Sequence, residues 1–178
     1  MRKFAPEKLF YILLMIKRIL IGLMLTVTLL VAATAFTGNP KRDVLTVGSE
    51  VPSLQIVSAT DGTMSAIGGT SVEYTLVTFW KSSDAPSRMA CNKYQASMRG
   101  ESPFLSRYGG KVRFVAINLD TSKALFHEIV ENDRLDASNQ FVVEDVAVLA
   151  RLDALFALRD GMGSVLIAPD GTVAAFNP

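Results

Sequence analysis

Hydrophobic positions after residue 52 follow the two spacings that are typical of strands and helices. The clearest strand signal is Thr75–Trp80, a β-branched and aromatic run typical of a strand buried on both faces. The next strong strand signal is Val112–Leu119, which follows the Gly109-Gly110 turn. Between them, Ala85–Arg99 has apolar residues at helical spacing, and Cys91 and Tyr94 lie on one stripe of this predicted helix. The central part of the chain is therefore predicted to run strand, helix, strand.

Weaker patterns predict further elements on both sides of this central part. Asp61-Gly62 predicts a hairpin turn between two short strands, and Pro169-Asp170-Gly171 predicts a second one. The remaining predicted elements are strands at Leu54–Ser58, Met64–Ile67, Ser164–Ala168 and Thr172–Phe176, a helix at Ser122–Asn132 with Leu125, Ile129 and Val130 as its buried face, and a helix at Val146–Leu158. This order predicts an α/β fold around one central sheet.

The first 36 residues differ in composition from the rest of the chain. Five Lys and Arg residues precede Ile19–Phe36, a stretch of 18 residues without a charge. This pattern is typical of a signal peptide, with Ala33-Thr34-Ala35 as its cleavage site, or of an N-terminal membrane anchor. The basic flank predicts that the rest of the chain is exported, to the periplasm or another extracytoplasmic space. Residues 37–51 are then a connector and residues 52–178 the exported domain.

The composition excludes several classes of protein. A length of 178 residues predicts one folded domain, and 18 Lys and Arg against 17 Asp and Glu exclude a polybasic nucleic-acid-binding protein. One Cys excludes an internal disulfide framework, and one Cys with one His leaves no cluster for a zinc site. No glycine-rich phosphate loop is present. We therefore expect no metal, no cofactor and no nucleic-acid partner.

The end of the first strong strand pattern resembles a known motif. Residues 78–88 read Thr-Phe-Trp-Lys-Ser-Ser-Asp-Ala-Pro-Ser-Arg and resemble the strand-to-helix turn of the thioredoxin superfamily. Its membrane-tethered, envelope-facing thiol-disulfide oxidoreductases carry Phe-Trp just before Cys-Gly-Pro-Cys-Arg. The similarity spans residues 48–177 and includes Asp120 directly after a strand and the segment Leu166–Gly171. It implies a three-layer sandwich with a central mixed sheet, here lacking the C-terminal helix.

This chain departs from the family motif at the residues that react. The two cysteines of the motif fall at Asp84 and Ser87, with Ala85 and Pro86 between them. In the family a cis-proline faces the cysteines, and Met162 occupies that position here, so a trans bond is expected. Disulfide exchange needs an attacking thiolate and a second thiol. The resemblance therefore implies a site that has lost its dithiol chemistry.

The same turn has a structural interpretation. Asp84 is a good N-cap for the helix, Pro86 suits its first turn, and Arg88 is spaced to pair with Asp84. The alternative is a retained recognition surface. That candidate binding surface combines the turn with the loop before the penultimate strand and comprises Trp80, Lys81, Arg88, Met162 and Gly163.

Other reactive residues have structural interpretations as well. Cys91, the only thiol, is predicted to be a buried core residue, with a regulatory or peroxide-reactive thiol as the alternative. His127 is predicted to be a solvated surface residue. The acidic pairs Glu131/Asp133 and Glu144/Asp145 are predicted to be solvated helix ends. Trp80 is expected to be buried beneath the turn.

Together these features predict a redox-inactive binding or accessory module of the cell envelope, with an envelope protein partner or self-association. One alternative is a thiol-disulfide oxidoreductase or antioxidant-type enzyme that uses Cys91 or the thiols of a partner, and another is a structural role in an envelope complex. Without a final helix, Val165, Ile167, Val173 and Phe176 are expected to form an exposed apolar patch. A partner or second copy, the 37–51 connector or simple exposure would account for it.

Overall fold

The computed structural model describes Met15, Lys17 and residues 44–178. Met15 and Lys17 are helical and exposed, and the rest of the predicted signal or anchor segment lies outside the described residues. In the part of the chain that is described, no helix combines the length and apolar character needed to cross a membrane. Residues 42–178 form one compact unit, which the structure describes from Val44 onward.

One seven-stranded mixed sheet organises this unit, with the strand order β2-β1-β5-β4-β3-β6-β7. The strands are β1 (Leu54–Ser58), β2 (Met64–Ile67), β3 (Tyr74–Trp80), β4 (Val112–Asn118), β5 (Gln140–Val142), β6 (Ser164–Ile167) and β7 (Val173–Phe176). The pairs β3–β4 and β4–β5 are parallel, whereas the other neighbours are antiparallel. The predicted α/β plan with a central mixed sheet is confirmed.

Four helices accompany the sheet: α1 (Ala85–Ser97), α2 (Pro103–Arg107), α3 (Lys123–Asn132) and α4 (Val146–Phe156). Each begins after an Asp or Ser whose side chain accepts a backbone N–H from the first turn, and these caps are Asp84, Ser102, Ser122 and Asp145. Helix α2 and strand β5 were not predicted, because each is too short to show a periodic pattern.

The helices cover both faces of the sheet. Because side chains alternate along a strand, Val77 and Phe79 of β3 pack on the face that carries Leu152 of α4. Leu76 and Trp80 of the same strand pack on the other face, against side chains of α1 and α3. This arrangement is the three-layer sandwich that the resemblance to the thioredoxin superfamily implied.

The buried face of α3 differs from the prediction. Phe126 and Ile129 are the buried residues of this helix, whereas Leu125 is 40% exposed and Val130 is half-buried. The ring of Phe126 packs on Trp80 with the ring centroids 5.8 Å apart. Packing against this large side chain sets the rotation of the helix and turns Leu125 to the surface.

The predicted apolar patch is also wrong for three of its four residues. Val165, Ile167 and Val173 are at most 2% exposed, and only Phe176, at 39%, lies at the surface. Residues 44–51 cross the end of β7, where Val173 N donates to Ser49 O at 2.9 Å and its carbonyl accepts from Gly48 N at 2.8 Å. The described part of the connector therefore covers Val173. Among the described residues no helix follows β7.

Candidate functional site

The turn between β3 and α1 is closed by its own hydrogen bonds. The Asp84 carboxylate accepts from Ser87 N at 3.0 Å, which confirms Asp84 as the N-cap, and Ala85 and Pro86 begin the helix. The Ser87 hydroxyl donates to Asp84 O at 2.9 Å and accepts from Lys81 N at 3.2 Å. Ser87 is 3% exposed. Both polar side chains at the positions of the family cysteines therefore serve the local fold.

Arg88 does not pair with Asp84. Its Nε donates to Asp133 Oδ2 at 2.7 Å and its Nη2 to Asp133 Oδ1 at 2.6 Å. The prediction that Asp133 is a solvated helix-end residue is wrong as well, since only 17% of its side chain is exposed. The hydrogen bonds to Asp133 raise the pKa of the Arg88 guanidinium. Arg88 therefore belongs to the contact between α1 and α3 and not to an open surface.

A second carboxylate fixes the other side of the turn. Asp120 Oδ2 accepts from Ser82 N at 2.9 Å, from the Ser82 hydroxyl at 2.5 Å and from Asn118 Nδ2 at 2.8 Å. Neither Ser82 nor Asn118 was predicted to be a site residue. The sequence feature that could have identified them is Asn118-Leu119-Asp120 at the end of β4. Polar residues at the carboxyl ends of neighbouring parallel strands meet at one edge of the sheet.

The only thiol lies beneath this turn. Cys91 is 0% exposed, and burial raises the pKa of its thiol to about 12, against a smaller opposing effect of a hydrogen bond with Gln140. Trp80, also 0% exposed, donates its indole N–H to Gln140 Oε1 at 3.1 Å. The predictions of a buried Cys91 and a buried Trp80 are confirmed. A neutral, enclosed thiol is a poor nucleophile.

An open pocket of about 320 Å³ lies at the same edge of the sheet, beside the turn. Lys81 and Leu119 line it from the ends of β3 and β4, and Arg159 and Met162 line it from the loop before β6. The remaining lining residues come from α4 and its C-terminal end: Val146, Leu149, Ala150, Asp153 and Leu158. Most of this wall is apolar.

Charges lie at the rim of this pocket. Arg159 Nε and Asp153 Oδ2 form an ion pair at 2.6 Å. Lys81 forms no ion pair with any residue that the structure describes. The pocket thus presents an apolar wall beside the ammonium group of Lys81, which has no ion pair among the described residues.

The predicted recognition surface is only partly brought together. Lys81 and Met162 share the pocket, whereas Trp80 is enclosed and Arg88 turns to α3. Gly163 is held to β3, because its carbonyl accepts from Phe79 N at 3.2 Å. No cis peptide bond occurs in the described residues, so the bond before Met162 is trans as expected.

The remaining candidates are surface or structural groups. His127 is exposed, as predicted, with its ring 5.1 Å from that of Phe126. Glu144 forms an exposed ion pair with Lys123 at 3.5 Å. Asp145 lies at a helix end as predicted, and its carboxylate also caps α4 by accepting from Ala147 N. Across the described part of the chain, no three His, Cys, Asp or Glu residues are grouped to hold a metal ion.

Comparisons with known proteins find similarity in structure only. No family model and no curated protein matches the sequence. A thioredoxin-like protein from Parabacteroides distasonis superposes with a TM-score of 0.57 and 24% identity, covering 76% of this chain and 89% of that one. The thioredoxin domain of a thiol-disulfide oxidoreductase from Bacteroides vulgatus gives a TM-score of 0.59 and 18% identity over 75% and 89% of the two chains.

A third solved structure comes from a different kind of protein. A peroxiredoxin-like protein from Aquifex aeolicus superposes with a TM-score of 0.56 and 16% identity, covering 75% of each chain. At these identities the similarity shows the fold. With its mixed seven-stranded sheet between helices, the chain has a thioredoxin-like fold.

Proposed function

We propose that this protein is a thioredoxin-like binding module that does not exchange disulfides and that recognises a partner protein through the pocket beside the 84–87 turn. The observation that carries the proposal is that this edge of the sheet holds an open pocket but no accessible sulfur of a cysteine. The pocket is lined by Lys81 and Met162, whereas Cys91 is 0% exposed.

The sequence contains one Cys, so the protein has no pair of thiols for dithiol exchange. Exchange requires a thiolate that attacks and a second thiol that resolves the mixed disulfide. The carboxylate of Asp84 and the hydroxyl of Ser87 are engaged in the cap of α1, and the pKa of Cys91 is raised to about 12 by burial. At neutral pH the thiol of Cys91 is therefore protonated and shielded.

The pocket is suited to an apolar side chain beside an acidic one. A volume of about 320 Å³ is at the small end of ligand pockets and accepts one large apolar group. Val146, which lines the pocket, is 78% exposed and adds apolar surface that a bound side chain can cover. The Lys81 ammonium, without an ion pair among the described residues, is placed to attract a carboxylate of the same segment.

A peptide-display experiment tests the binding role. A random peptide library is panned on the full chain and on the Ala150→Trp variant, whose added ring would fill the pocket. We expect wild-type panning to enrich peptides that pair a large apolar residue with Asp or Glu, and Ala150→Trp to lose them. The matched control is Ala154→Trp, on α4 but outside the pocket lining. Enrichment that is absent, or unchanged by Ala150→Trp, would contradict the binding role.

An insulin-reduction assay tests the absence of dithiol exchange. Wild type should show no turnover, while the double variant Asp84→Cys with Ser87→Cys serves as the positive control, since the N-terminus of α1 would lower the pKa of the first thiol. Wild-type turnover that Cys91→Ser abolishes would instead support the alternative of an enzyme that uses Cys91. Turnover that survives Cys91→Ser would also overturn the proposal.

We also propose that the module works outside the cytoplasm, as part of the cell envelope. The proposal rests on the five Lys and Arg residues that precede the 18 uncharged residues from Ile19 to Phe36. A reporter that is active only outside the cytoplasm should work when fused after Pro178, and a cytoplasmic reporter should not. The reverse pattern would contradict export. Mass spectrometry of the mature N-terminus then distinguishes cleavage after Ala35 from a retained anchor.

A further inference from the structure

We infer that a second binding site, for a small oxyanion such as a phosphate group, lies around Arg113 at the edge of the sheet opposite to the pocket that contains Lys81. This site does not depend on the proposed function, since it shares no residue with the 84–87 turn or with that pocket.

The site is a polar cavity of about 470 Å³ at the amino ends of β3 and β4. Thr75 and Arg113 are register partners on these two parallel strands, so their side chains lie on the same face. Three further hydroxyl residues, Ser53, Thr70 and Ser71, complete the polar part of the lining. Because the parallel strands begin here, the cavity is well separated from the carboxyl edge.

The charge of Arg113 is not neutralised by the described part of the protein. Its Nη1 donates to Ala66 O at 3.0 Å and its Nη2 donates to the Ser65 hydroxyl at 2.6 Å, and both acceptors are uncharged. Arg113 has no ion pair with a described acidic residue, and none of the described residues that line the cavity is acidic. A guanidinium stays charged and has about five N–H donors, so donors remain for an anion.

The hydroxyl of Thr75 supports an anion as the occupant. Thr75 is 6% exposed, yet its side chain makes no hydrogen bond with any described residue. Every side-chain oxygen that is fully enclosed in the described structure has a hydrogen-bond partner. The Thr75 hydroxyl has none, so it is not fully enclosed and is open to the cavity that Thr75 lines. A hydroxyl donor beside a guanidinium fork matches the geometry of a phosphate or carboxylate. The absence of acidic residues from the described lining disfavours a cation.

Arg113 also has a structural role, because its two hydrogen bonds connect β4 to the β2 hairpin. A purely structural arginine would make these bonds whether or not an anion is present. Thr75→Val distinguishes the two roles, because this substitution keeps Arg113 and its hydrogen bonds and removes only the hydroxyl that faces the cavity. An anion site should lose affinity in this variant, whereas a purely structural Arg113 would be unaffected.

The test is a titration of the full chain with inorganic phosphate, glycerol phosphate and acetate, each against sodium chloride at matched ionic strength. Backbone amide shifts of Gly68, Gly69 and Thr70 and the thermal midpoint are recorded. We expect phosphate to shift these amides and raise the midpoint, Thr75→Val to weaken phosphate binding about fivefold, equivalent to about one hydrogen bond, and Arg113→Gln to abolish it. Arg107→Gln, exposed on α2, is the control and should bind as wild type does.

The arms of the titration identify the source of the anion. Tighter binding of glycerol phosphate than of inorganic phosphate would indicate a phosphate ester, and equal binding a free oxyanion. Chloride effects equal to those of phosphate, or wild-type affinity in Thr75→Val, would overturn the inference. If Arg113→Gln does not fold, the comparison of Thr75→Val with wild type decides.

Discussion

Arg88 and Asp133 are joined by two parallel hydrogen bonds, from Nε at 2.7 Å and from Nη2 at 2.6 Å, which tie the first turn of α1 to the C-terminal end of α3. Their side chains are 28% and 17% exposed, so solvent screens the pair less than a surface pair. Two parallel bonds between a guanidinium and a carboxylate are stronger and more specific than a single ion pair. The contact joins the two helices, α1 and α3, whose side chains pack on Trp80.

Removing this contact should measurably destabilise the fold. We expect Asp133→Asn to lower the free energy of unfolding by about 1–2 kcal/mol, because hydrogen bonds to charged groups are lost from a partly buried pair. A double-mutant cycle with Arg88→Gln, followed by urea unfolding, measures the coupling. The matched control is the pair of Arg159 and Asp153, in which the Arg159 side chain is 74% exposed, and its coupling should be below about 1 kcal/mol. A coupling for Arg88 and Asp133 no larger than that of the control would contradict this expectation.

The partner of Arg88 could not be predicted from the sequence, whereas the cap at Asp84 could. A cap depends on a residue three positions away, so its pattern is visible in the chain. Arg88 and Asp133 are 45 positions apart and meet only because α1 and α3 pack on one face of the sheet. The nearer acidic residue, Asp84, was therefore the natural but wrong choice.

The single tryptophan has a buried hydrogen bond that should be costly to break. Trp80 donates to Gln140 Oε1 at 3.1 Å, and both residues are 0% exposed. Trp80→Phe leaves that oxygen without its donor and removes buried ring atoms, so we expect a loss of about 2–4 kcal/mol in the free energy of unfolding. The variant Trp80→Phe with Gln140→Leu should recover part of the loss, because both polar groups are then gone. No recovery in the double variant would show that the hydrogen bond matters little.

Local patterns predicted most elements of the sheet, but not the buried amide that supports the site. The strands with strong β-branched runs, β3 and β4, lie within a residue or two of their predicted bounds. Gln140 begins a strand of only three residues, and a glutamine gives no sequence signal of burial. The pocket was partly predicted, through Lys81 and Met162, because the fold resemblance placed the turn opposite the loop. The wall of the pocket that α4 forms was not predicted, because its position depends on how that helix packs.

Alkaline pH should destabilise the fold through Cys91. The thiol has an ordinary pKa of 9.0 when unfolded and burial raises the folded value to about 12, so the neutral thiol stabilises the folded state fully below pH 9 and less as pH rises towards 12. We expect a loss of about 2 kcal/mol by about pH 10.5 from this group. Tyr94, whose pKa is raised mainly by burial, acts in the same direction. Urea unfolding of wild type and Cys91→Ala at several pH values isolates the thiol, and equal pH dependence of the two would contradict its role.

A strained residue ends α4 beside the pocket. Ala157 has φ 51° and ψ 43°, a left-handed conformation in which glycine is favoured because it has no Cβ. Ala157→Gly should therefore raise the free energy of unfolding by about 0.5–1 kcal/mol. Ala154→Gly, inside α4, is the control and should lower it by about 1 kcal/mol. Thermal unfolding measures both, and a loss of stability in Ala157→Gly would show that its conformation is not strained.

The segment that crosses β7 should contribute to stability through one buried side chain. Val51 is 1% exposed in the core, and its N–H donates to Gly171 O at 2.9 Å. Val51→Ala removes two buried methyl groups and should cost about 2 kcal/mol of unfolding free energy. Val47→Ala lies in the same segment but is 65% exposed, so it should change stability by less than about 0.5 kcal/mol. Because both substitutions act on one short stretch of chain, a general loosening of the segment would affect them alike. Equal effects of Val51→Ala and Val47→Ala on stability would therefore mean that burial of Val51 does not hold the segment against Val173. In that case an apolar-surface dye should bind both variants to the same extent.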